Sequence, residues 1–203
     1  MKERLRRLIP LKLFRSLQPW YHYGLTFLAA ALNGFPARKI KIIGITGTKG
    51  KTTSTEIISA ILEQAGYKTA IASTWRFKVA DKSQRNLLKM SMPGGPYLQR
   101  LIKQAVNAGC QYLILEMTSE GTKLFRHKFV DLDALLFTNI SPEHIESHGS
   151  FENYLQAKLK LADALADSTK PNRMIVSNAD DREAYKFLAK KIGHKIPFQL
   201  KDA

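Results

Sequence analysis

The sequence has little cysteine and no long apolar run. Among its 203 residues is one cysteine, Cys110, so an intramolecular disulfide is excluded and a reducing compartment is favoured. We interpret Cys110 as a buried small hydrophobic residue. The longest apolar stretch, Leu25 to Leu32, is far shorter than the roughly 18–20 residues that a membrane-spanning helix needs. We therefore expect a cytoplasmic protein that is soluble or peripheral to a membrane.

Acidic residues are also scarce. The chain has 17 Asp and Glu against 32 Lys and Arg, which gives a formal net charge of +15. Such a surface attracts anions in general, including nucleotides, phosphosugars, nucleic acid and acidic lipid headgroups. Because no nucleic-acid reading motif accompanies the charge, no nucleic-acid partner is expected.

Residues 1–38 differ in composition from the rest of the chain, being basic and rich in aromatic residues, and we expect them to be helical. Two interpretations remain open. These helical residues either pack on the following domain, which we favour, or place an amphipathic surface of residues 1–35 against an anionic membrane.

From residue 39 onward, short β-branched runs alternate with helical patterns. Strands are predicted at about 39–45, 69–73, 112–117, 134–138 and 174–177, and helices at about 52–65, 97–107, 151–165 and 181–191. The helix at 52–65 is predicted to end at a cap formed by Gly66 and to have one apolar face, which consists of Ile57, Ile58, Ile61, Leu62 and Ala65. This alternation predicts an α/β domain over residues 39–203 with a doubly wound, mostly parallel sheet of the P-loop NTPase type. The polar segment 78–86 is predicted to be a surface loop or hairpin.

A glycine-rich segment stands where the first predicted strand ends and the first helix of the domain begins. Its residues are Gly47, Thr48, Lys49, Gly50, Lys51, Thr52 and Thr53. Free backbone N–H groups and the positive end of the helix dipole make this junction a phosphate site. Lys51 is expected to neutralise the terminal phosphates of ATP, and the Thr52 hydroxyl to reach Mg²⁺. Ile45 stands where a full Walker A loop has its first glycine, so this is a shortened variant.

Three separated blocks resemble the Mur ligases, the ATP-dependent enzymes that add amino acids to UDP-N-acetylmuramoyl peptides. They are the loop Thr-Gly-Thr-Lys-Gly-Lys-Thr at 46–52, Glu-Met-Thr-Ser at 116–119, and the stretch from Phe-Thr-Asn-Ile at 137–140 to Lys158. The resemblance extends from about Lys39 to Ala184 and is strongest to the MurE-type enzymes.

The resemblance implies two Mg²⁺ ions. Thr52 and Glu116 would hold one ion, and His144 with Lys158 the other. Glu116 also suits this role by its place at the carboxyl end of a strand, where open α/β sheets bind ligands. Lys158 matches the family lysine that reacts with CO₂ to form a metal-binding carbamate.

Substrate contacts are also implied. Ser91, Ser119 and Arg126 match positions that face the muramoyl peptide, whereas Glu120 and Leu124 stand where the family commonly has histidine and glutamine. These two departures predict a somewhat different acceptor.

The implied reaction is amide synthesis through an acyl phosphate, with Lys51, Lys158 and His144 as the catalytic residues. Residues 1–38 are too short for the family's UDP-binding domain, and the sequence stops before its C-terminal domain. We expect a fragment or truncated product that is inactive alone. Two alternatives remain: a folylpolyglutamate synthase-like ligase, against which the pair Thr52-Thr53 argues, and a non-catalytic nucleotide-binding subunit that works with a partner.

Overall fold

The computed structural model describes residues 11–88, 90–143 and 145–200. Within them lies one eight-stranded sheet with the spatial order β4-β3-β2-β5-β1-β6-β7-β8. The strands are β1 Lys41–Thr46, β2 Thr69–Ala72, β3 Arg76–Val79, β4 Lys82–Arg85, β5 Tyr112–Glu116, β6 Ala134–Phe137, β7 Met174–Asn178 and β8 His194–Phe198. Strands β2, β5, β1, β6, β7 and β8 pair in parallel, and β3 and β4 add an antiparallel edge.

This architecture confirms the predicted α/β fold with a mostly parallel sheet. The polar segment 78–86 forms part of the β3–β4 hairpin. A hairpin was one of the two alternatives predicted for this segment. Strand β8 was not predicted; its residues His194–Phe198 are all exposed, and the strand contains Pro197, a residue that is unfavourable in strands. Cys110 is buried, with 6% of its surface exposed, as the sequence predicted.

Helices cover both faces of the sheet. They are α1 Leu11–Leu32, α2 Lys51–Gln64, α3 Gly95–Asn107, α4 Ser119–Lys123, α5 Ile145–His148, α6 Phe151–Ala166 and α7 Ala184–Leu188, with a 3₁₀ turn at Pro36–Lys39. The predicted cap of α2 is confirmed, since Gly66 adopts φ +85° and donates its N–H to the Glu63 carbonyl. The predicted helix 181–191 is shorter, because only Ala184–Leu188 is helical.

The buried face of α2 differs from the expectation that its isoleucines point to the core. Ile57 and Ile61 are 53% and 63% exposed, whereas Thr55 and Ser59 are buried. Their hydroxyls are paired, Thr55 donating to the Lys51 carbonyl at 2.9 Å and Ser59 sharing a hydrogen bond with a threonine of β2 at 2.7 Å. A satisfied hydroxyl can be buried at little cost, so α2 packs its small residues closely on the sheet.

Helix α1 packs on the domain through one side. Thr26 is buried against Gly95 at the start of α3, where an added Cβ would lie 1.9 Å from the Thr26 hydroxyl. Aromatic rings extend this contact. The ring centres of Tyr23 and Phe129 are 5.1 Å apart, and those of Trp20 and Phe125 are 5.8 Å apart. The favoured interpretation of the N-terminal segment, packing on the domain, therefore describes this side of α1. Nowhere in the described part of the chain is a helix both long and apolar enough to cross a membrane.

Candidate functional site

The predicted phosphate loop connects β1 to the first residue of α2. Gly47 adopts φ +151° and Gly50 φ +82°, conformations that favour glycine. An added Cβ at Gly47 would lie 1.9 Å from the Thr138 hydroxyl, so a side chain here would displace the loop from the neighbouring strand end. The loop thus has the tight backbone that close approach to an anion requires.

Residues that follow β6 hold this loop in place. The Asn139 carbonyl accepts from the Thr48 N–H at 2.8 Å, and its side-chain oxygen accepts from the Lys49 N–H at 2.9 Å. The Thr138 hydroxyl donates to the Lys49 carbonyl at 2.8 Å. Because β6 is the immediate neighbour of β1 in the sheet, these contacts fix the loop to a rigid frame.

Two lysine side chains converge on the loop backbone. Lys51 donates to the Gly47 and Thr48 carbonyls at 2.9 and 2.8 Å, and Lys158 donates to the same Gly47 carbonyl at 2.7 Å. Burial lowers the pKa of Lys51, although the carboxylates of Glu116 and Glu143 oppose this effect. Two amines within reach of one loop create a strongly anion-attracting site.

Lys158 is the more deeply buried of the two lysines. It is 2% exposed on α6, and its amine lies 4.7 Å from the centre of the Tyr154 ring, one helical turn earlier. Burial, with repulsion from Lys51, lowers the pKa of Lys158 to about 7, while Glu143 acts in the opposite direction. A lysine with this pKa is partly neutral at neutral pH and therefore nucleophilic.

Glu116 ends β5, next to the loop-bearing strand β1. The residue is fully buried, and its Oε2 accepts from the Thr74 hydroxyl at 2.6 Å. Its Oε1 is buried and has no hydrogen-bond partner among the residues that the structure describes. A buried carboxylate oxygen without a partner is costly unless a cation or a donor pairs with it, so Glu116 has the chemistry of a Mg²⁺ ligand.

The other predicted metal and nucleotide residues lie at the start of α2 or nearby. Thr52 is partly buried in the first turn of α2, and Thr53 beside it is exposed. Lys49 is exposed and lies 3.4 Å from Glu143. His144 lies outside the described residues. Among the residues that are described, no three His, Cys, Asp or Glu side chains are grouped as a metal cluster.

The predicted substrate residues share one cavity with both lysines. This cavity of about 370 Å³ is lined by Gly47, Lys51, Met90, Ser91, Met92, Thr118, Ser119, Glu120, Leu124, Arg126, Tyr154 and Lys158. Arg126 is held by its donation to the Met92 carbonyl at 2.7 Å, and the Ser91 hydroxyl lies 2.5 Å from that of Thr74. Residues from four separate sequence segments therefore face the loop across a common space.

The two departures from the family pattern both line this cavity. Glu120 contacts the buried His148 at 3.0 Å, and the Ser119 hydroxyl lies 3.1 Å from the same His148 nitrogen. Hydrogen bonds from Ser147 and Lys123 lower the pKa of Glu120 against the opposing effect of burial. Glu120 thus adds a negative charge to the cavity wall, and Leu124 adds an apolar surface.

Sequence reasoning missed several residues of the site. Tyr154, whose hydroxyl lies 3.1 Å from that of Thr48, and Thr74 belong to no recognised motif. Thr74 follows β2 at the same sheet edge as Glu116, and this position after a parallel strand is the signal that could have identified it. Chemically, the site combines a glycine-rich loop that suits an anion, a buried carboxylate, a buried lysine of lowered pKa and an adjoining cavity.

Comparison with curated proteins finds relatives that are named as UDP-N-acetylmuramyl peptide synthetases or ligases. The chain is 36% identical over 169 residues to a UDP-N-acetylmuramyl-tripeptide synthetase of Roseiflexus sp., with 79% of this chain and 33% of the relative covered. It is also 36% identical over 174 residues to a UDP-N-acetylmuramoyl-L-alanyl-D-glutamate–2,6-diaminopimelate ligase of Clostridium botulinum, covering 86% and 34%. The chain thus spans about a third of the length of these curated relatives.

Solved structures agree with this fold. A UDP-N-acetylmuramoyl-L-alanyl-D-glutamate–2,6-diaminopimelate ligase matches with a TM-score of 0.67 at 24% identity, covering 79% of this chain and 32% of that one. A Mycobacterium tuberculosis folylpolyglutamate synthase complexed with ADP matches with a TM-score of 0.63 at 13% identity, covering 86% and 46%. The family model of the Mur ligase middle domain matches residues 45–202. From the phosphate loop onward, the chain belongs to the Mur ligase family and carries its middle domain.

Proposed function

We propose that this chain is the ATP-binding core of a ligase that joins an amino acid to a UDP-N-acetylmuramoyl peptide in peptidoglycan precursor synthesis. The observation that carries the proposal is the cavity shared by the phosphate loop, Lys158 and the substrate-facing residues Ser91, Ser119 and Arg126. The 36% identity to MurE-type relatives supports the same substrate class. The whole activity is assigned to the complete protein.

In this reaction, a carboxylate oxygen of the acceptor peptide attacks the γ-phosphorus of ATP, and the bond to the β-bridging oxygen breaks to release ADP. The incoming amine then attacks the acyl carbon, phosphate leaves, and the amine loses a proton as the amide forms. Lys51, whose amine donates to the Gly47 carbonyl, would neutralise the terminal phosphates. Catalysis of this kind rests on positioning and charge stabilisation.

Residues of the cavity other than the two lysines would bind the acceptor. Arg126, oriented by the Met92 carbonyl, offers a guanidinium to an acceptor carboxylate, and the hydroxyls of Ser91 and Ser119 offer hydrogen bonds. Glu120 introduces a negative charge here, which disfavours an acceptor with an additional anion at that point. We therefore propose Glu120 and Leu124 as the source of the altered acceptor preference.

The residues fit Mg²⁺ on their own chemistry. We propose that Thr52 and Glu116 hold one ion, because the buried Oε1 of Glu116 finds no partner within the described ranges of the chain. We assign the second ion to His144 and Lys158, as the family resemblance implies. When bound, the ions would neutralise charge on the phosphates during transfer.

Carbamylation of Lys158 is proposed on the basis of its environment. A neutral amine adds to CO₂, forms a carbamate and releases one proton, which converts the side chain into an anion that can bind a metal. The lowered pKa of Lys158, caused mainly by burial, makes the neutral amine available near pH 7. The hydrogen bond from Lys158 to the Gly47 carbonyl supports a role for this side chain close to the bound phosphates.

The test supplies the complete protein with ATP, Mg²⁺, a UDP-N-acetylmuramoyl dipeptide and one amino acid at a time. Mass spectrometry should detect one amide product formed with one ADP. Lys51→Ala should abolish the product, whereas Lys160→Ala, a change at an exposed lysine outside the loop, should retain it. Failure of every amino acid to react, with ATP bound normally, would contradict the proposal.

A folylpolyglutamate synthase-like reaction is the second candidate, favoured only by the likeness of fold. It predicts glutamate addition to a folate by the same complete protein, so that one assay with both acceptors separates the two. A non-catalytic subunit would bind ATP and form neither product. We further propose that the protein works in the cytoplasm, where ATP is available, and that residues 1–35 contact a membrane peripherally.

A further inference from the structure

One face of helix α1 carries a largely exposed apolar stripe, of which Trp20 and Phe27 also contact Phe125 and Phe129 of the domain. From Trp20 onward, the exposed positions recur with helical spacing, and all of them are apolar or glycine: Trp20, Tyr21, Gly24, Phe27, Leu28, Ala31 and Leu32. Leu32 is 79% exposed, Trp20 66% and Leu28 54%. We call these seven positions the outer stripe. A contiguous apolar surface of this kind on a helix marks an interaction site.

The charge pattern around the outer stripe is one-sided. No Asp, Glu, Lys or Arg occurs from Ser16 to Ala37, whereas basic residues stand on both sides of this interval in the sequence. They are Lys2, Arg4, Arg6, Arg7, Lys12 and Arg15 before it, and Arg38, Lys39 and Lys41 after it. The only acidic residue before Glu56 is Glu3. An apolar helix face between two groups of cations has the composition of helices that lie on anionic bilayers.

The opposite side of α1 is firmly held. Thr26 and Ala30 are each 1% exposed, and Tyr23 contacts Phe125 and Phe129. Because the domain fixes this inner side, the outer stripe is presented without any rearrangement of the helix. Trp20 and Tyr21 stand at one end of the stripe, and both residue types favour the boundary between lipid and water.

We infer that the outer stripe docks on the surface of a membrane rich in anionic lipid, with α1 lying parallel to that surface. This inference refines the membrane contact proposed for residues 1–35 and does not depend on the ligase reaction. A second copy of the chain is the less favourable occupant, because each copy carries a formal charge of +15 and would bring the same cations to the interface. An anionic bilayer offers both the opposite charge and the apolar interior.

The experiment measures binding of the full chain to phosphatidylglycerol and to phosphatidylcholine vesicles by co-sedimentation. The chain has two tryptophans, so Trp75→Phe leaves Trp20 as the single reporter, and its emission should shift to shorter wavelength with phosphatidylglycerol. The test variant is Leu28→Glu with Leu32→Glu. Its matched control is Ile57→Glu with Ile61→Glu, an equally spaced pair on α2 that is 53% and 63% exposed.

We expect the chain to bind phosphatidylglycerol vesicles at least about tenfold more strongly than phosphatidylcholine vesicles. The Leu28 and Leu32 double variant should lose about tenfold or more of its partition coefficient, and the α2 control should lose much less. ATP binding and thermal unfolding, measured in parallel, should be unchanged in both variants. If the unmodified chain binds vesicles but does not bind ATP, the ligase proposal is contradicted and the membrane inference is unaffected.

Three outcomes would overturn the inference. The first is absence of vesicle binding by the unmodified chain. The second is equal loss in both double variants, which would make the binding a matter of net charge. The third is a lipid-independent dimer that only the Leu28 and Leu32 variant dissociates, because the stripe would then be a contact between copies.

Discussion

Burial of Lys158 should make the stability of the protein depend on pH above neutrality. The folded state holds this amine at a pKa of about 7, against a usual lysine value of 10.5. Between these two values, the unfolded chain keeps the proton and the folded chain releases it. Since the unfolded state then binds more protons, the free energy of unfolding rises with pH in this interval. Below pH 7 both states are protonated and this contribution to the slope disappears.

The size of the effect follows from the same two values. One proton of difference changes the free energy of unfolding by at most about 1.4 kcal/mol per pH unit. Because Lys158 titrates gradually near pH 7, integration from pH 7 to pH 9 gives about 2 kcal/mol. The side chain is only 2% exposed, so screening by solvent should reduce this value little.

The assay is urea unfolding at pH 7, 8 and 9 in carbonate-free buffer, which prevents carbamylation. Unmodified protein is compared with Lys158→Met, which keeps the length of the side chain and removes its proton. From pH 7 to pH 9, the free energy of unfolding of the unmodified protein should rise by about 2 kcal/mol relative to that of Lys158→Met. Lys160→Met, at an exposed lysine of the same helix, controls for the general effect of removing a charge from α6.

Parallel pH curves for the unmodified protein and Lys158→Met would refute the reasoning. They would mean that water or an unseen rearrangement solvates the amine in solution. The proposed route to a carbamate would then lose its physical basis, since an ordinary lysine is almost fully protonated at pH 7.

Three further predictions concern the phosphate loop and the lysine on α6 that contacts it. Lys51→Ala should weaken Mg·ATP binding roughly tenfold to a hundredfold in calorimetry, because a charge-assisted hydrogen bond is lost, and equal affinities would refute its role. Gly47→Ala should destabilise the chain by about 1–3 kcal/mol in urea unfolding, since a Cβ would lie 1.9 Å from a hydroxyl, whereas Gly24→Ala, with nothing within 4 Å, should not. Lys158→Ala in the complete protein should sharply lower ATP turnover, and acetate should partly restore it while leaving unmodified protein unaffected; failure of this rescue in a folded variant would contradict the carbamate.

Much of the fold was predictable because its signals are local. The β-branched run before Gly47 and the helical pattern after Lys51 predicted the central strand, loop and helix correctly. Strand β8 was not predicted because it is short and contains Pro197, which argues against a strand unless the strand lies at a sheet edge, as β8 does. The orientation of α2 was wrong because Thr55 and Ser59 satisfy their hydroxyls through partners that a helical pattern does not reveal.

The site was predictable where motifs carry it and unpredictable where packing does. The family pattern identified Glu116 and Lys158, which the sheet and α6 then bring to the loop. Thr74 and Tyr154 were missed, because a single hydroxyl is informative only once its three-dimensional neighbours are known. The pKa of Lys158 likewise depends on burial, which arises from tertiary packing and not from the residues beside it in sequence.

The Gly47 carbonyl, which accepts from both Lys51 and Lys158, couples the two lysines energetically. When either amine is removed, the Gly47 carbonyl still accepts a hydrogen bond from the remaining amine, and the repulsion between the two amines is lost. The effects of substitutions at the two positions on stability should therefore not add. In a double-mutant cycle, the coupling between Lys51→Ala and Lys158→Ala should be of the order of 0.5–3 kcal/mol, as is usual for groups in one network. Sequence variation at one of these positions would then be tolerated or rejected according to the residue at the other.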